Sequence, residues 1–342
     1  KCEERYQDTL DEFYTYAARL IHTQARNIAF AHDATDAYSR ALSSFDFKSG
    51  DIIITTDDDY VSNHIQFISL AQRHGIIVKR IHNLDNGDLD LGHCENLVNQ
   101  YNPVLVTITY IPTNSGLIQD VVAVGEICER HDIPYLLDAC QAIGQLPVDV
   151  QKIKCDFLST TGRKFLRGPR GTGFLFVSDK MLDKGSAPKY VDLSGADWTE
   201  TDTIVMKESA RRFQHWEGPC ALIMGIREAI SYALSIGLEN IESYNQKLVE
   251  ALNDRLSQSN NIRLLDKGSR RAAIITIAFD TVSKAQVINE LDHAQVYYSV
   301  AEKSSALIDF NKKNVDWAIR ISPHYFNTLK EVDTLVDIIE SI

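Results

Sequence analysis

Two segments of the sequence each end a run of apolar residues in side chains capable of acid–base or nucleophilic chemistry. In IPYLLDACQAIG the apolar run ends at Asp138, and the turn after it carries Gln141. In DFLSTTGRKFLRGPRG the run ends near Thr161, and Lys164 lies in the loop beyond it. Ligands of open α/β sheets bind beyond the carboxyl ends of the strands. The pattern therefore predicts a carboxylate, an amide and an amine at one edge of a sheet.

These side chains match the requirements of pyridoxal 5'-phosphate (PLP). A lysine amine can form a Schiff base with the cofactor aldehyde, and a carboxylate can keep a pyridine nitrogen protonated so that the ring accepts electrons. Taken alone, an aspartate at a strand end is more often a helix cap, and a lysine in a loop is usually solvated. Because Asp138 and Lys164 occur together, in this order and both at strand ends, the pattern favours a PLP site over a helix cap and a solvated lysine.

The elements that position these residues alternate along the first part of the chain. Short, nearly continuous apolar strands separated by helices are typical of a mostly parallel sheet covered on both faces. The predicted strands are 28–31, 51–55, 76–80, 104–109, 133–138, 156–160 and 171–177. The predicted helices are 5–21, 34–42, 63–74 and 121–131.

Beyond about Pro219 the pattern changes to two long helical stretches, interrupted at Gly237 and followed by strand–helix–strand segments. We therefore predict a large cofactor-binding domain over residues 1–218 and a smaller α+β domain over residues 219–342. The N-terminal helix is open to assignment to either domain.

Composition limits the partners. The chain has 342 residues and a formal net charge of -12, so no basic excess exists to bind nucleic acid or an anionic membrane. Its 6 cysteines have neither zinc-ligand spacing nor the pattern of a disulfide framework, which favours a reducing cytoplasm and no metal. No signal peptide or membrane-spanning apolar run is recognisable. What precedes Lys1 in the natural protein stays open.

The sequence resembles the class V aminotransferase family. The likeness rests on Asp-x-x-Gln-x-x-Gly followed by Asp-Val, and on a lysine loop that ends in Gly-Pro-x-Gly-x-Gly; it runs from about Tyr14 to the C-terminus. TGRKFLRGPRGTGFL and IRISPHYFN are most similar to the isopenicillin N epimerase and hercynylcysteine sulfoxide lyase branches. The resemblance implies a fold-type I PLP enzyme, a homodimer and an amino-acid substrate.

The resemblance also implies a role for each matching residue. Lys164 is the implied Schiff-base lysine and proton shuttle, Asp138 the partner of the pyridine nitrogen, and Gln141 a donor to the phenolic oxygen. Arg320 is implied to bind the substrate α-carboxylate, which a planar guanidinium suits. The other implied cofactor contacts are Ala34 and Thr35 in a phosphate-binding turn, Thr161 and Arg163 near the phosphate, Tyr60 over the ring, and Thr113 or Asn114 beside it.

The loop before Arg320 shapes the predicted reaction. Cysteine desulfurases carry a nucleophilic cysteine there, whereas AEKSSALIDFNKKNVDWAIR has Ser304 and Ser305. Serine does not form a persulfide, so we expect an enzyme that is not a persulfide-forming desulfurase. Cys140 is interpreted as a small buried residue and not as a nucleophile.

The predicted activity is β-elimination, as a C–S lyase of a cysteine conjugate or sulfoxide. A class V aminotransferase and an amino-acid epimerase are the enzymatic alternatives, since all three reactions share a carbanion at Cα. The non-enzymatic alternatives are a catalytically silent scaffold with the same fold, and a nucleotide-binding protein that uses GPRGTG as a phosphate loop. The last is disfavoured because neither standard nucleotide fingerprint occurs in the sequence.

Overall fold

A seven-stranded sheet organises the first part of the chain. The structure is a computed structural model that describes residues 2–342, with side chains from residue 6 onward. The strands are β1 (Ile28–Ala31), β2 (Ile52–Thr56), β3 (Ile77–Ile81), β4 (Leu105–Thr109), β5 (Tyr135–Asp138), β6 (Phe157–Thr161) and β7 (Gly173–Val177). Their order is β1-β7-β6-β5-β4-β2-β3, and only the pairings of β7 with β6 and β1 are antiparallel.

Helices cover this sheet and begin close to the carboxyl ends of its strands. Strands β4 to β7 are buried along their whole length, as near-continuous apolar segments require. Asp33, Asp90 and Asp120 cap three of the helices by accepting hydrogen bonds from amides in the first turn. The helices are α2 (Ala34–Ser43), α3 (Val61–His74), α4 (Leu91–Tyr101), α5 (Val121–Arg130), α6 (Val150–Ile153) and α7 (Asp179–Asp183).

The rest of the chain forms a hairpin, a second sheet and further helices. The hairpin pairs β8 (Ala196–Glu200) with β9 (Thr203–Met206). An antiparallel sheet has the order β10-β11-β13-β12, built from β10 (Ile262–Leu264), β11 (Ile275–Phe279), β12 (Ser299–Glu302) and β13 (Trp317–Ile321). The helices are α8 (Cys220–Ile236), α9 (Leu238–Leu256), α10 (Lys284–His293), α11 (Leu307–Lys313) and α12 (Leu329–Ser341), with α1 (Cys2–Leu20) at the start of the chain.

The long helices beyond residue 219 are separated as the sequence predicts. Gly237 lies between α8 and α9 with a φ of 90°, a conformation that favours glycine. The N-terminal helix α1 packs against α8. Among the described residues no single helix has the length and apolar character of a membrane span; α8 and α9 meet that test only as a pair bent by 78°.

Candidate active site

Asp138 ends β5 and is held by two hydrogen-bond donors. Its Oδ2 accepts from Asn63 Nδ2 at 3.1 Å, and its Oδ1 accepts from the Cys140 amide at 2.9 Å. Burial raises the pKa of Asp138, while the Cys140 amide and the charge of Lys164 act in the opposite direction. The carboxyl group is therefore fixed in orientation at the carboxyl edge of the sheet.

A second buried carboxylate, Asp59, supports this arrangement. Asn63 also donates to Asp59 Oδ1 at 2.8 Å, so one amide group bridges Asp59 and Asp138. The hydroxyls of Thr55 and Thr109 donate to Asp59 as well. This network joins β2, β4, β5 and the start of α3. Sequence reasoning did not identify Asp59 or Asn63; their spacing of four residues at a helix start after a strand was the available signal.

Lys164 lies on the loop after β6 and is half-buried. The Lys164 amine lies 5.8 Å from the centre of the Tyr60 ring. Burial raises the pKa of Cys140, and the charge of Lys164 acts to lower it. The loop is closed by the Gly168 amide, which donates to the Gly162 carbonyl at 2.7 Å. Asp138, Tyr60 and Lys164, which are far apart in the sequence, therefore meet at one edge of the sheet.

Gln141 and the residues after β4 lie near the same turn. Gln141 is 2% exposed, and its Nε2 donates to Thr113 Oγ1 at 3.2 Å. Asn114 instead donates to Asp309 Oδ2 on α11 at 2.6 Å. Of the two residues that the sequence left open, Thr113 contacts the turn that follows Asp138, and Asn114 joins the sheet to α11.

Several buried oxygens at this edge have no hydrogen-bond partner among the described residues. They are Gln141 Oε1, Ser159 Oγ and Thr160 Oγ1. Ser159 is the register partner of Asp138 across β5 and β6. Because buried polar atoms are normally hydrogen-bonded, this edge has unused hydrogen-bonding capacity beside a lysine and a carboxylate. The residues present therefore fit a polar cofactor of the predicted kind.

The predicted phosphate-binding turn forms the start of α2. Ala34 and Thr35 occupy its first turn, where backbone amides have no acceptor within the helix and the helix dipole favours an anion. Asp33 already uses one amide of this turn, since it accepts from the Asp36 amide at 2.9 Å. The amides of Ala34 and Thr35 are the groups left for a phosphate.

Thr161 and Arg163 flank Lys164. The Thr161 hydroxyl donates to the Thr172 carbonyl at 3.0 Å, so its proton is already used. Arg163 is exposed, and its charge acts on both Cys140 and Arg320. The positive charge of this loop therefore acts on Arg320, which belongs to the second sheet.

Arg320 reaches the site from β13. Its Nε donates to Ser322 Oγ at 3.0 Å, and no carboxylate of the described side chains lies within ion-pair distance. Burial lowers the pKa of Arg320, and Cys140 acts in the opposite direction. The guanidinium is therefore close enough to Cys140 for their charges to interact. Apart from the Nε–H given to Ser322, its N–H groups have no hydrogen-bond acceptor among the described residues.

Comparison with known proteins places this arrangement in a family. A family model described as Aminotransferase class-V matches residues 2–335. A relative from Pyrococcus abyssi, named a probable cysteine desulfurase, is 26% identical over 97% of this chain and 82% of its own length. The apo structure of a cysteine desulfurase from Thermococcus onnurineus has a TM-score of 0.91 at 23% identity, covering 100% of this chain and 85% of that one. A structure of C-DES with glycine covalently linked to its PLP cofactor has a TM-score of 0.87 at 19% identity, covering 99% and 87%.

These findings confirm the predicted family, the fold-type I architecture and PLP as the cofactor. They also correct two predictions. The β-elimination C–S lyase and the exclusion of a cysteine desulfurase are both wrong, because the relatives are named cysteine desulfurases. The physical reason lies in the loop of Ser304 and Ser305. A missing cysteine there removes a sulfur acceptor from that loop alone and does not by itself exclude a desulfurase.

Proposed function

The chain belongs to the aminotransferase class-V family, and from this membership we propose that it is a PLP-dependent cysteine desulfurase. The observation that carries the proposal is the relative named a probable cysteine desulfurase, which aligns with 97% of the chain. Removing the sulfur of L-cysteine and protonating Cβ yields alanine, so the substrate is an amino acid and the second product is a sulfur species.

The proposal assigns the cofactor contacts to the residues gathered at the carboxyl edge of the first sheet. PLP supplies an electron sink for chemistry at the substrate Cα. Lys164 would hold its aldehyde carbon, Asp138 would pair with the ring nitrogen, and Gln141 would hydrogen-bond the phenolic oxygen. The unpartnered Ser159 Oγ supports this placement, and Gln141 Nε2 has a second N–H beyond the one that it donates to Thr113. The remaining contacts are Ala34, Thr35, Thr161 and Arg163 around the phosphate, and Tyr60, Thr113 and Asn114 around the ring.

Substrate binding and proton transfer are assigned to Arg320 and Lys164. The Arg320 guanidinium has donors available, and it binds the α-carboxylate of the amino acid. Lys164 removes and returns the proton at Cα. Burial raises the pKa of Asp138, and a protonated ring nitrogen beside it stabilises its carboxylate form.

The proposal extends to organisation. A large domain over 1–218 and a smaller one over 219–342 remain the proposed division, with α1 assigned to the smaller part because it packs against α8. A homodimer is supported by exposed apolar side chains such as Trp198 and Ile204 on the hairpin of β8 and β9. A cytoplasmic location is supported by the thiols of Cys94, Cys128, Cys140 and Cys155, which form no disulfide.

The proposed function is tested with the purified protein, PLP and L-cysteine. We expect a visible absorption band that borohydride removes, and alanine formation without a keto-acid acceptor. Lys164→Ala should lose the band and lower alanine formation by about 10³-fold or more, since it removes both the cofactor link and the proton carrier. Lys154→Ala, whose amine pairs with Glu129 on the surface, is the matched control.

Two results would contradict the proposal. Pyruvate in place of alanine would show elimination, and a strict requirement for a keto acid would show transamination. An unchanged absorption band in Lys164→Ala would remove this lysine from its assigned role.

A further inference from the structure

We propose that His324 is a positioning residue that fixes the loop carrying Lys164. This inference rests on the proposed desulfurase function, because it concerns the orientation of the lysine assigned to the Schiff base. Residues 162–168 are called the lysine loop, and residues 322–327, which follow β13, are called the His324 turn. The loop follows a strand of the first sheet and the turn follows a strand of the second, so their contact joins the two sides of the site.

The His324 side chain contacts the residue next to Lys164. Its Nε2 lies 2.9 Å from the Phe165 carbonyl oxygen, and its Nδ1 accepts from the Tyr325 amide at 3.0 Å. A carbonyl oxygen only accepts and a backbone amide only donates, so both contacts require the neutral ring with its proton on Nε2. Burial lowers the pKa of His324 to about 4, which keeps the ring neutral at neutral pH. The imidazole is therefore a fixed donor toward the lysine loop.

Ring stacking holds the same neighbour of Lys164. The His324 ring stacks on Phe165, with ring centres 5.3 Å apart, and on Phe326, with ring centres 4.8 Å apart. Phe165 is 5% exposed and His324 is 7% exposed, so the hydrogen bond between them is shielded from water. A buried carbonyl that loses its donor is left unsatisfied, which is costly. His324 thus holds both the backbone and the side chain of Phe165.

The backbone of the lysine loop has further contacts around Phe165. The Arg167 amide donates to the Lys164 carbonyl at 2.8 Å. Gly144, in the turn after β5, lies so close that a Cβ there would be 2.6 Å from the Phe165 carbonyl carbon. The Phe165 peptide group is therefore in contact with the turn after β5 and with the His324 turn. The rotations left to Lys164 are those of its side chain.

Arg167 attaches the far end of the lysine loop to the same turn. Its φ of 58° is uncommon for a residue other than glycine, and such a conformation persists where the surroundings hold it. The Arg167 guanidinium donates to the Tyr325 hydroxyl. It also lies 4.7 Å from the ring centre of Tyr325, 5.2 Å from that of Tyr232 and 5.5 Å from that of Phe326. The loop is thus fastened to the His324 turn at two points.

The His324 turn is anchored independently of the lysine loop. The His324 amide donates to Asn327 Oδ1 at 2.9 Å, and the Asn327 amide donates to the His324 carbonyl at 2.7 Å. Tyr244 of α9 donates to the Asn327 carbonyl at 3.1 Å. At the start of the turn, Ser322 accepts from Arg320 Nε at 3.0 Å. Removal of the His324 donor should therefore release the lysine loop without moving Arg320.

This arrangement affects the two functional residues differently. Lys164 is assigned the proton transfer at Cα, which depends on distance and alignment, and a misplacement of about 1 Å can lower a rate by about 10²-fold. Arg320 is assigned the α-carboxylate of the substrate and keeps its place when the lysine loop loosens. The loss of the His324 hydrogen bond should therefore lower kcat and leave KM nearly unchanged.

The kinetic test compares two substitutions of His324 in the PLP-loaded protein. His324→Phe keeps a stacked ring and removes both nitrogens, so kcat for alanine formation should fall about 10- to 100-fold with KM within about threefold of the parent value. His324→Gln restores a donor and should recover kcat to within about fivefold of the parent. His93→Phe is the matched control. His93 also stacks on a ring, that of His82 at 3.8 Å, and accepts a backbone amide, but it lies beyond the edge strand β3.

A second measurement does not depend on activity. The amides of Arg167 and Gly168 are hydrogen-bonded within the lysine loop, so their exchange with deuterium reports the order of the loop. Exchange of the full chain is measured by mass spectrometry with and without PLP. In both states the peptide that contains the loop should exchange about tenfold faster or more in His324→Phe, and as in the parent in His324→Gln and His93→Phe.

The outcomes separate this inference from the proposed function. Unchanged loop exchange or unchanged kcat in His324→Phe overturns the role of His324, as does a rise in KM with normal kcat. If His324→Phe does not fold, Tyr325→Phe carries the test: it removes only the hydroxyl that accepts from Arg167 and should raise loop exchange about threefold, and no rise overturns the inference. A parent protein that binds PLP but forms no alanine overturns the proposed function, and loop exchange then decides the role of His324.

Discussion

The two sides of the candidate site are built differently. On the side of the first sheet, Asp138 accepts two hydrogen bonds, and Asn63 ties it to Asp59. On the side of the second sheet, Arg320 has only Ser322 as a described hydrogen-bond partner. On the first side the charged group is held by contacts inside the protein, and on the second side the charged group keeps its donors available.

This difference matches what each side is proposed to bind. A cofactor that stays in place is served by groups fixed in advance, because no reorganisation is then needed during the reaction. A substrate that binds and leaves is served by a charged group with unused donors, which are satisfied only when the carboxylate arrives. Substitutions on the first side should therefore change the rate of the chemical step, and substitutions on the second should change substrate affinity.

The largest effect is expected from Asp138→Asn. This change removes the negative charge assigned to the ring nitrogen while keeping the shape of the side chain, and we expect kcat to fall about 10²- to 10³-fold. Asp156→Asn is a control of similar burial at the other end of the strands. Steady-state kinetics and thermal unfolding measure both. A normal kcat in Asp138→Asn would show that the first side is structural only.

A smaller effect is expected from Arg320→Ala. Charge-assisted hydrogen bonds to a carboxylate contribute roughly 1.5–3 kcal/mol, so KM should rise about 10- to 100-fold with a smaller change in kcat. Arg320→Lys keeps the charge without the two-pronged geometry and should fall between the two proteins. Arg263→Ala is the control in the same sheet, where the guanidinium already pairs with Asp280.

A substrate analogue sharpens this test. Cysteinamide lacks the carboxylate, so the parent protein should use it far less well than cysteine. Arg320→Ala should lose most of that preference. A preserved preference would show that another residue binds the carboxylate.

Most of the first sheet was predictable because its strands are buried on both faces. Strand β6 was predicted at 156–160 and lies at Phe157–Thr161, and β7 was predicted at 171–177 and lies at Gly173–Val177. The hairpin of β8 and β9 was not predicted, because its residues are largely exposed and show no apolar run. Helices α4 and α11 were also missed; α11 is a single short helix of seven residues that lies among polar residues.

The site was predictable where it depends on one strand end and not where it depends on strand order. Asp138 and Lys164 follow strands directly, so their place at the sheet edge was visible in the sequence. Asn63 meets Asp138 only because β2 lies next to β4, which pairs with β5. Local patterns do not specify such contacts.

The smallest expected effect concerns Asp58, at the junction where the turn after β2 meets α11. Asp58, in the turn between β2 and α3, accepts from Asn83 Nδ2 at 2.7 Å. Burial and the charge of Asp309 on α11 raise its pKa to about 6, while Lys313 and Lys312 act in the opposite direction. A raised carboxyl pKa means that its contribution to stability is full below pH 4 and is lost as the pH rises through about 6.

Asp58→Asn should therefore be more stable than the parent protein above pH 6, by on the order of 1–3 kcal/mol, and should lose this advantage near pH 4. The neutral amide still accepts from Asn83 and carries no buried charge. Urea unfolding of both proteins at several pH values gives the difference, with Asp85→Asn as the control on an exposed carboxylate of a nearby loop. A difference that is the same at every pH would show that Asp58 is not desolvated at the junction. A difference that grows between pH 4 and 6, with unchanged kcat and KM, would show that the junction contributes to stability independently of the cofactor side and the substrate side.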